Sequence, residues 1–431
     1  MSRVTAPPLA RLIGRWSLLG LAVNAIIGSG IFGLPATLAA AVGAVSPWTV
    51  LLAGAAMGVI ASCYAEVASQ FTESGGTYLY VRRALGRFAG IQVGWILLLV
   101  RLTACAGSAD LFVDYLAGFA PDVALPVPRF GVITILFGIL ATVNYRGVRA
   151  GTVISTASVT AKLTAMGVLC ATGTYYLLSH PGIHPLPSPA PLGHWLNAIL
   201  LLFFAYGGYE TALSAGGEVG NPRRDAPFAV FAGLVLVTLL YTTLQLIVMY
   251  LVADPAHSTR PLADAARVLM GPTGGALVSA AALLSVFGFL SATLLGMPRS
   301  IFALGECGDF PAWFAAVHPR FRTPHVAILA FALPAWLAAL FGSFSWNVTL
   351  SSVGRLLYFA AVCAAVPVLR KSRSPAAFRV PGGALLPWTG IVICAVLLTR
   401  VDLGRSLILA AVVVVGSVNW LLVKDRLPAA R

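Results

Sequence analysis

Two kinds of residue in this 431-residue chain have types and spacings that could do chemistry. The first are ionisable groups set inside long apolar runs. Lys162 lies in Ser158-Val-Thr-Ala-Lys-Leu-Thr-Ala-Met, Glu210 ends Phe203-Phe-Ala-Tyr-Gly-Gly-Tyr-Glu, and Arg101 lies in Leu99-Val-Arg-Leu-Thr-Ala-Cys. A charge centred in such a run costs about 3 kcal/mol or more unless it is paired, which makes each one a functional candidate by default. The second are glycine clusters: Asn24-Ala-Ile-Ile-Gly-Ser-Gly-Ile-Phe-Gly33 with Pro35 after it, and the pair Gly207-Gly208. Each glycine costs about 1 kcal/mol in a helix. Inside a membrane, an opened backbone is tolerated only where it lines a protein-enclosed cavity. Broken half-helices there turn free N–H groups and positive dipole ends toward an anion. The chemistry in view is recognition of a small charged solute, an amino acid carboxylate for instance, and no bond need be made or broken.

Each feature has a plainer reading. Gly28, Gly30, Gly207 and Gly208 can serve close helix packing alone. Lys162 can snorkel to a membrane surface. Glu210 can cap the backbone it follows instead of relaying a proton. Arg101 can contact a substrate, pair with Glu210 or form a structural ion pair elsewhere; Cys105 and Ser108, one and two turns on, are weaker pocket candidates. Arg355 can line a cytoplasmic path, Glu66 is expected to pair with a cytoplasmic arginine, and Arg299 has no evident partner. The histidines His180, His184 and His194 sit in or beside a Pro-rich loop, where solvated histidine is the default.

Enzymatic motifs are missing. Gly28-Ser-Gly-Ile-Phe-Gly33 matches a dinucleotide pattern by letters, but no strand precedes it and no βαβ unit surrounds it. The six cysteines form no CxxC and no Cys/His cluster, so neither a metal site nor a disulfide framework is expected. No cofactor is implied.

The elements that must hold these residues follow from composition. Hydrophobic residues make up 59% of the chain and charged ones only 10%, against roughly 25% charged in an ordinary soluble domain. Mean hydropathy is +0.90. A soluble multidomain enzyme and a disordered chain are both excluded, and an all-α polytopic membrane protein remains. A spanning helix needs about 20 apolar residues. Twelve such segments can be marked, at 15–40, 46–70, 88–119, 130–146, 152–178, 193–219, 227–253, 274–304, 325–343, 346–369, 384–400 and 405–423. The first is too long for a signal-peptide core and lacks a clear cleavage site, so it reads as a membrane helix.

The net charge of +14 could suggest nucleic acid, but sorting the cations by loop gives another account. With the N-terminus inside, nineteen of the 28 Lys and Arg lie in inside segments, and five (Arg129, Arg260, Arg267, Arg400, Arg405) lie outside. Both termini are therefore expected in the cytoplasm. Only three of the 28 are lysines, and Lys162 alone of these is outside charged loop or tail sequence. The broken first and sixth helices stand five helices apart, as in transporters built from inverted repeats.

In these stretches the sequence resembles the amino acid–polyamine–organocation (APC) permeases, which share the leucine-transporter fold. The carrying residues are 24–35 in helix one, Glu73-Ser-Gly-Gly-Thr-Tyr-Leu-Tyr80 after helix two, and 204–227 around helix six. Residues 308–324 after helix eight and Phe378-Arg-Val-Pro-Gly-Gly383 after helix ten complete the set. They cover nearly the whole chain in family order. The resemblance implies a cytoplasmic tail (1–14), a first repeat of helices one to five (15–178), an inverted second repeat of helices six to ten (193–370), helices eleven and twelve (384–423) and a second cytoplasmic tail (424–431).

It also implies a site between helices one, three, six, eight and ten. Backbone at Ile27, Gly28, Ser29, Gly30 and Ile31 would hold a substrate carboxylate. Carbonyls around Phe204, Ala205 and Gly207 would hold its amino group, and Phe204, Tyr206 and Tyr209 would gate or line the pocket. Lys162 looks like the helix-five lysine of sodium-independent members. It would reach carbonyls near Ile26 and Ile27, and Ser291 on helix eight, in place of sodium, and could carry a coupled proton.

The expected protein is a secondary amino acid transporter working by alternating access in a bacterial inner membrane, surrounded by lipid, with proton symport or amino acid exchange. A polyamine or other organic amine is the second substrate class. A membrane sensor or channel on the same scaffold is the different-class alternative, and no nucleic acid partner is implied.

Overall fold

The computed structural model describes residues 13–71, 75–147, 151–180, 191–213, 219–372, 378–380 and 382–425. Among them are fourteen α-helices and no strand beyond one isolated bridge, Ile13 to Val219. In chain order the helices are α1 (Arg15–Ile26), α2 (Gly30–Val42), α3 (Ser46–Ala68), α4 (Gly76–Leu116), α5 (Pro126–Arg146), α6 (Gly151–Ser179) and α7 (Leu192–Tyr206). They continue as α8 (Tyr209–Leu213), α9 (Pro222–Leu251), α10 (Pro261–Glu306), α11 (His325–Phe341), α12 (Phe344–Ser372), α13 (Leu385–Leu398) and α14 (Leu403–Val423). Eight helical stretches are long and apolar enough to cross a membrane, and α11 and α13 are apolar but shorter. The chain is an all-α polytopic membrane protein.

The helix interruptions follow glycine. α1 stops at Ile26 and α2 starts at Gly30. α7 stops at Tyr206 and α8 starts at Tyr209, with Gly208 at φ 128°. Two further breaks were not expected. Gly86 (φ 92°) divides α4, and Gly271 (φ 69°) divides α10. Their longer parts begin close to the expected starts at 88 and 274. The preceding turns, 76–85 and 261–270, are extra short helices. Their charges (Arg82, Arg83, Asp264, Arg267) kept them out of an apolar-run search.

α12 runs along α4, α3 packs on both α7 and α9, and α10 packs on α6. The core is aromatic as well as aliphatic, with Tyr64, Tyr206, Tyr209, Tyr241, Tyr358 and Phe359 fully buried. Outward faces stay apolar, for example Ile135 and Ile139 on α5 and Val414, Val418 and Leu422 on α14. Hydrocarbon outside is as apolar as leucine, so such faces cost nothing in a bilayer. Polar locks hold the ends. Glu66 takes two bonds from Arg370, at 2.6 and 2.7 Å, and one from the Val380 amide, the arginine pairing expected for it. Asp309 gathers Tyr78, Arg82 and Arg87 from α4.

The tails up to residue 12 and from 426, residues 73 and 74 of the stretch after helix two, residues 214–218 after helix six, and the loop 181–190 with His184 lie outside the described residues.

Candidate substrate site between the two broken helices

The two interruptions meet. A Cβ on Gly30 would stand 3.1 Å from the Phe204 ring and 3.2 Å from Ala205 Cα, and one on Gly208 would strike the Ala25 carbonyl. The backbone of each break therefore packs against the other. Opening a helix in an apolar interior strands its terminal carbonyls and amides, and each must find a partner.

At the end of α1 the partner is a cation. The Lys162 ammonium donates to Asn24 O at 3.0 Å and to Ile27 O. Its side chain reaches from α6 and is only 6% exposed. Tyr241 of α9 supplies a hydroxyl that stands 3.1 Å from Ile26 O and 3.3 Å from Ala205 O, joining the ends of α1 and α7.

At the start of α8 the partner is an anion. Glu210 Oε2 accepts the Gly208 amide at 2.7 Å. Its Oε1 accepts Arg355 at 2.9 Å, Tyr358 at 3.1 Å and Arg101 at 3.5 Å. The Arg355 guanidinium lies directly against Gly207, leaving no room for a side chain there, and its Cζ stands 5.7 Å over the Phe204 ring.

The start of α2 differs. Ser29 precedes it without capping it, and the Ser29 hydroxyl instead meets Ser108 of α4 at 2.6 Å. The first amide of this turn with an acceptor is Phe32, bonded to Ser29 O at 3.1 Å. The amides of Ser29, Gly30 and Ile31 have no acceptor among the described residues.

Beside the breaks is a cavity of about 390 Å³, lined by parts of α1, α4, α6, α8 and α10. Asn24, Ile27 and Gly28 form one wall, Arg101 and Lys162 supply its charges, and Ser285 has a buried hydroxyl with no partner among the described residues. Down α10 the wall is Gly288, Ala292, Gly296 and Ser300, one per turn, and the last three are exposed. The volume is near the small end of ligand pockets, roughly 300–1,000 Å³.

The model of one family, described as amino acid permease, matches residues 13–420. The chain belongs to the amino acid permease family. It is accordingly a membrane transporter of amino acids and not an enzyme. Among similar proteins is a branched-chain amino acid permease of Bacillus subtilis strain 168, 28% identical over 96% of this chain and 91% of its own. A serine/threonine exchanger of the same organism is 30% identical over 74% of each chain. A methylthioribose transporter from it is 28% identical over 90% of this chain and 87% of its own.

In this permease most of the residues singled out in the sequence come together. Ile27, Gly28, Arg101 and Lys162 line the cavity; Ser29, Gly30 and Ile31 form the turn beyond it; Phe204 and Ala205 pack against Gly30 of that turn, and Gly207 lies against Arg355. Cys105 is fully buried on α4, and Ser108 is held by Ser29 and by Ala104 O. Two aromatics are committed to packing rather than to the cavity. Tyr206 bonds Val50 O at 2.9 Å, and Tyr209 stacks on Phe359 with ring centres 6.2 Å apart.

Ser291 stands away from the others. The cavity face of α10 repeats at 285, 288, 292 and 296, the spacing of one helix face, and Ser291 falls off it; Ser285 and Ser300 are the α10 serines on the wall. Arg355 is 3% exposed behind Gly207 and paired with Glu210, rather than on an access path. Arg101 reaches Glu210 only at 3.5 Å. Tyr241, Tyr358 and Ser285 escaped the sequence reading. Their signal was a hydroxyl in the middle of an apolar helix, which is frequent and carries no spacing.

Proposed function

We propose that the permease is a sodium-independent secondary transporter that binds its amino acid at the meeting point of the two breaks and works by alternating access. The observation that carries this reading is the Lys162 ammonium on the carbonyls of Asn24 and Ile27. It puts a fixed positive charge where the end of α1 would otherwise call for a bound cation. The uncapped amides of Ser29, Gly30 and Ile31 offer the substrate carboxylate a donor set at a helix N-terminus. The Phe204 carbonyl and the other acceptors at the α7 end are the counterpart for its amino group.

Twelve spans in a five-plus-five inverted repeat (15–178 and 193–370), followed by 384–423, are supported by matched features. Each half has one broken helix and, later, one glycine hinge ahead of a long helix: Gly28 and Gly86 in the first, Gly207-Gly208 and Gly271 in the second. The lysine and arginine bias supports cytoplasmic termini in a bacterial inner membrane. The exposed residues of the cavity wall, Ala292 to Ser300, lie toward the end of α10 that this orientation puts inside, so the cavity is the inward-facing state. Coupling is to protons or to a counter-transported amino acid.

Uptake of the twenty amino acids into proteoliposomes, with and without sodium and with and without a pH gradient, tests the reading. Wild type is expected to transport without sodium. Lys162→Ala is expected to express normally and lose uptake. Normal uptake by that variant, or a strict need for sodium in wild type, would reject the role given to the lysine.

A further inference from the structure

The charges around the cavity do not balance. Arg101, Lys162 and Arg355 surround the two breaks, and Glu210 is the one carboxylate facing them among the described residues. Among the described residues no carboxylate lines the cavity itself. Glu210 is already committed, since Arg355 at 2.9 Å, Tyr358 at 3.1 Å and the Gly208 amide at 2.7 Å engage both of its oxygens. Asp110, the next buried acid along α4, is held by Arg129 and Asn347. Lys162 spends two of its three donors on the Asn24 and Ile27 carbonyls. Arg101 is different: among the described residues its one hydrogen bond is the 3.5 Å contact to the shared Glu210 oxygen, and it faces the cavity.

A zwitterionic amino acid adds no net charge to this excess, and an amine substrate adds to it. A solute with a second carboxylate reduces it. The guanidinium fork matches a carboxylate in two parallel bonds, a recognition that a neutral side chain cannot reproduce. The wall beside it is made for a small polar group, with the unpartnered Ser285 hydroxyl and the side chain of Thr293. We propose that the permease selects an amino acid carrying a second carboxylate, and that Arg101 is the residue that reads that carboxylate.

The proposal rests on the reading of the breaks as the substrate site, and the experiment separates the two. Full-length permease in liposomes is assayed with labelled glutamate and aspartate, with leucine and threonine, with arginine, and with succinate as a dicarboxylate that lacks the amino group. Glutamate or aspartate is expected to enter with a kcat/KM at least about ten-fold above the neutral and cationic amino acids and above succinate. In Arg101→Gln the acidic-to-neutral ratio is expected to fall roughly ten- to hundred-fold, the size of a charge-assisted hydrogen bond. Arg101→Lys is expected to keep acidic substrates ahead with a raised KM.

Preference for leucine, threonine or arginine in wild type, or an unchanged ratio in an active Arg101→Gln, overturns the selectivity while leaving the site reading in place. Succinate carried as well as glutamate also overturns it, because two carboxylates would then suffice. Absence of uptake for every amino acid overturns the site reading and the selectivity together. If Arg101→Gln does not fold, the wild-type ranking and the Arg101→Lys ratio decide.

Discussion

The two broken helices solve one problem with opposite charges. In the first, the exposed end is the carboxyl end of α1, and an ammonium from another helix closes it. In the second, the exposed end is the amino end of α8, and a carboxylate from α8 itself closes it, backed by two arginines. Glycine opens both, but what fills the opening is set by which end of the half-helix is turned inward. The first turn of α2 is different again: the amides of Ser29, Gly30 and Ile31 have no acceptor among the described residues, and the anion-binding role proposed for the first break rests on that difference.

The sharpest way to break this comparison is at the second closure. Glu210→Gln leaves Arg355 and Arg101 buried without their counter-charge and is expected to lower stability by about 3–5 kcal/mol, read as a lower melting temperature in detergent. Wild-type stability in that variant would mean the arginines have another anion. If Glu210 also relays a proton, the variant's uptake loses the wild-type pH profile; an unchanged profile leaves it a capping role only.

A smaller effect compares the glycines directly. Gly208→Ala forces a side chain at φ 128° onto the Ala25 carbonyl and is expected to cost about 1–3 kcal/mol. Gly28→Ala meets nothing nearer than Ile26 O at 3.9 Å and is expected to cost less than about 1 kcal/mol. Equal melting temperatures for the two would erase the distinction between a packed break and an open one. The smallest change is Tyr241→Phe, expected to cost about 1 kcal/mol and to slow uptake without abolishing it.

Much of this was legible in the sequence, for physical reasons. Apolar runs long enough to cross a bilayer located most of the membrane helices, and glycine clusters located both breaks. Lys162 stood out because an ammonium in hydrocarbon demands carbonyls. Of the two expected near it, Ile27 is a partner, while the Ile26 carbonyl belongs to Tyr241 and Asn24 takes its place. What the sequence could not carry was pairing across helices. The choice of Arg355 over Arg101 as the main partner of Glu210 depends on how α12 lies against α7. The choice of Ser285 over Ser291 depends on a rotation of α10 that a near-uniform apolar surface does not encode. The hinge helices before Gly86 and Gly271 were hidden for the opposite reason, being too charged for an apolar search.

Tyr241 has one hydroxyl proton, and it stands within reach of carbonyls in both breaks. A phenol can donate only once at any instant. The two half-helices therefore share a single bond instead of holding one each. If α1 swings away, the proton settles on Ala205; if α7 swings away, it settles on Ile26. In either case the hydroxyl would keep an acceptor, so its own hydrogen bond does not depend on which half-helix stays in place.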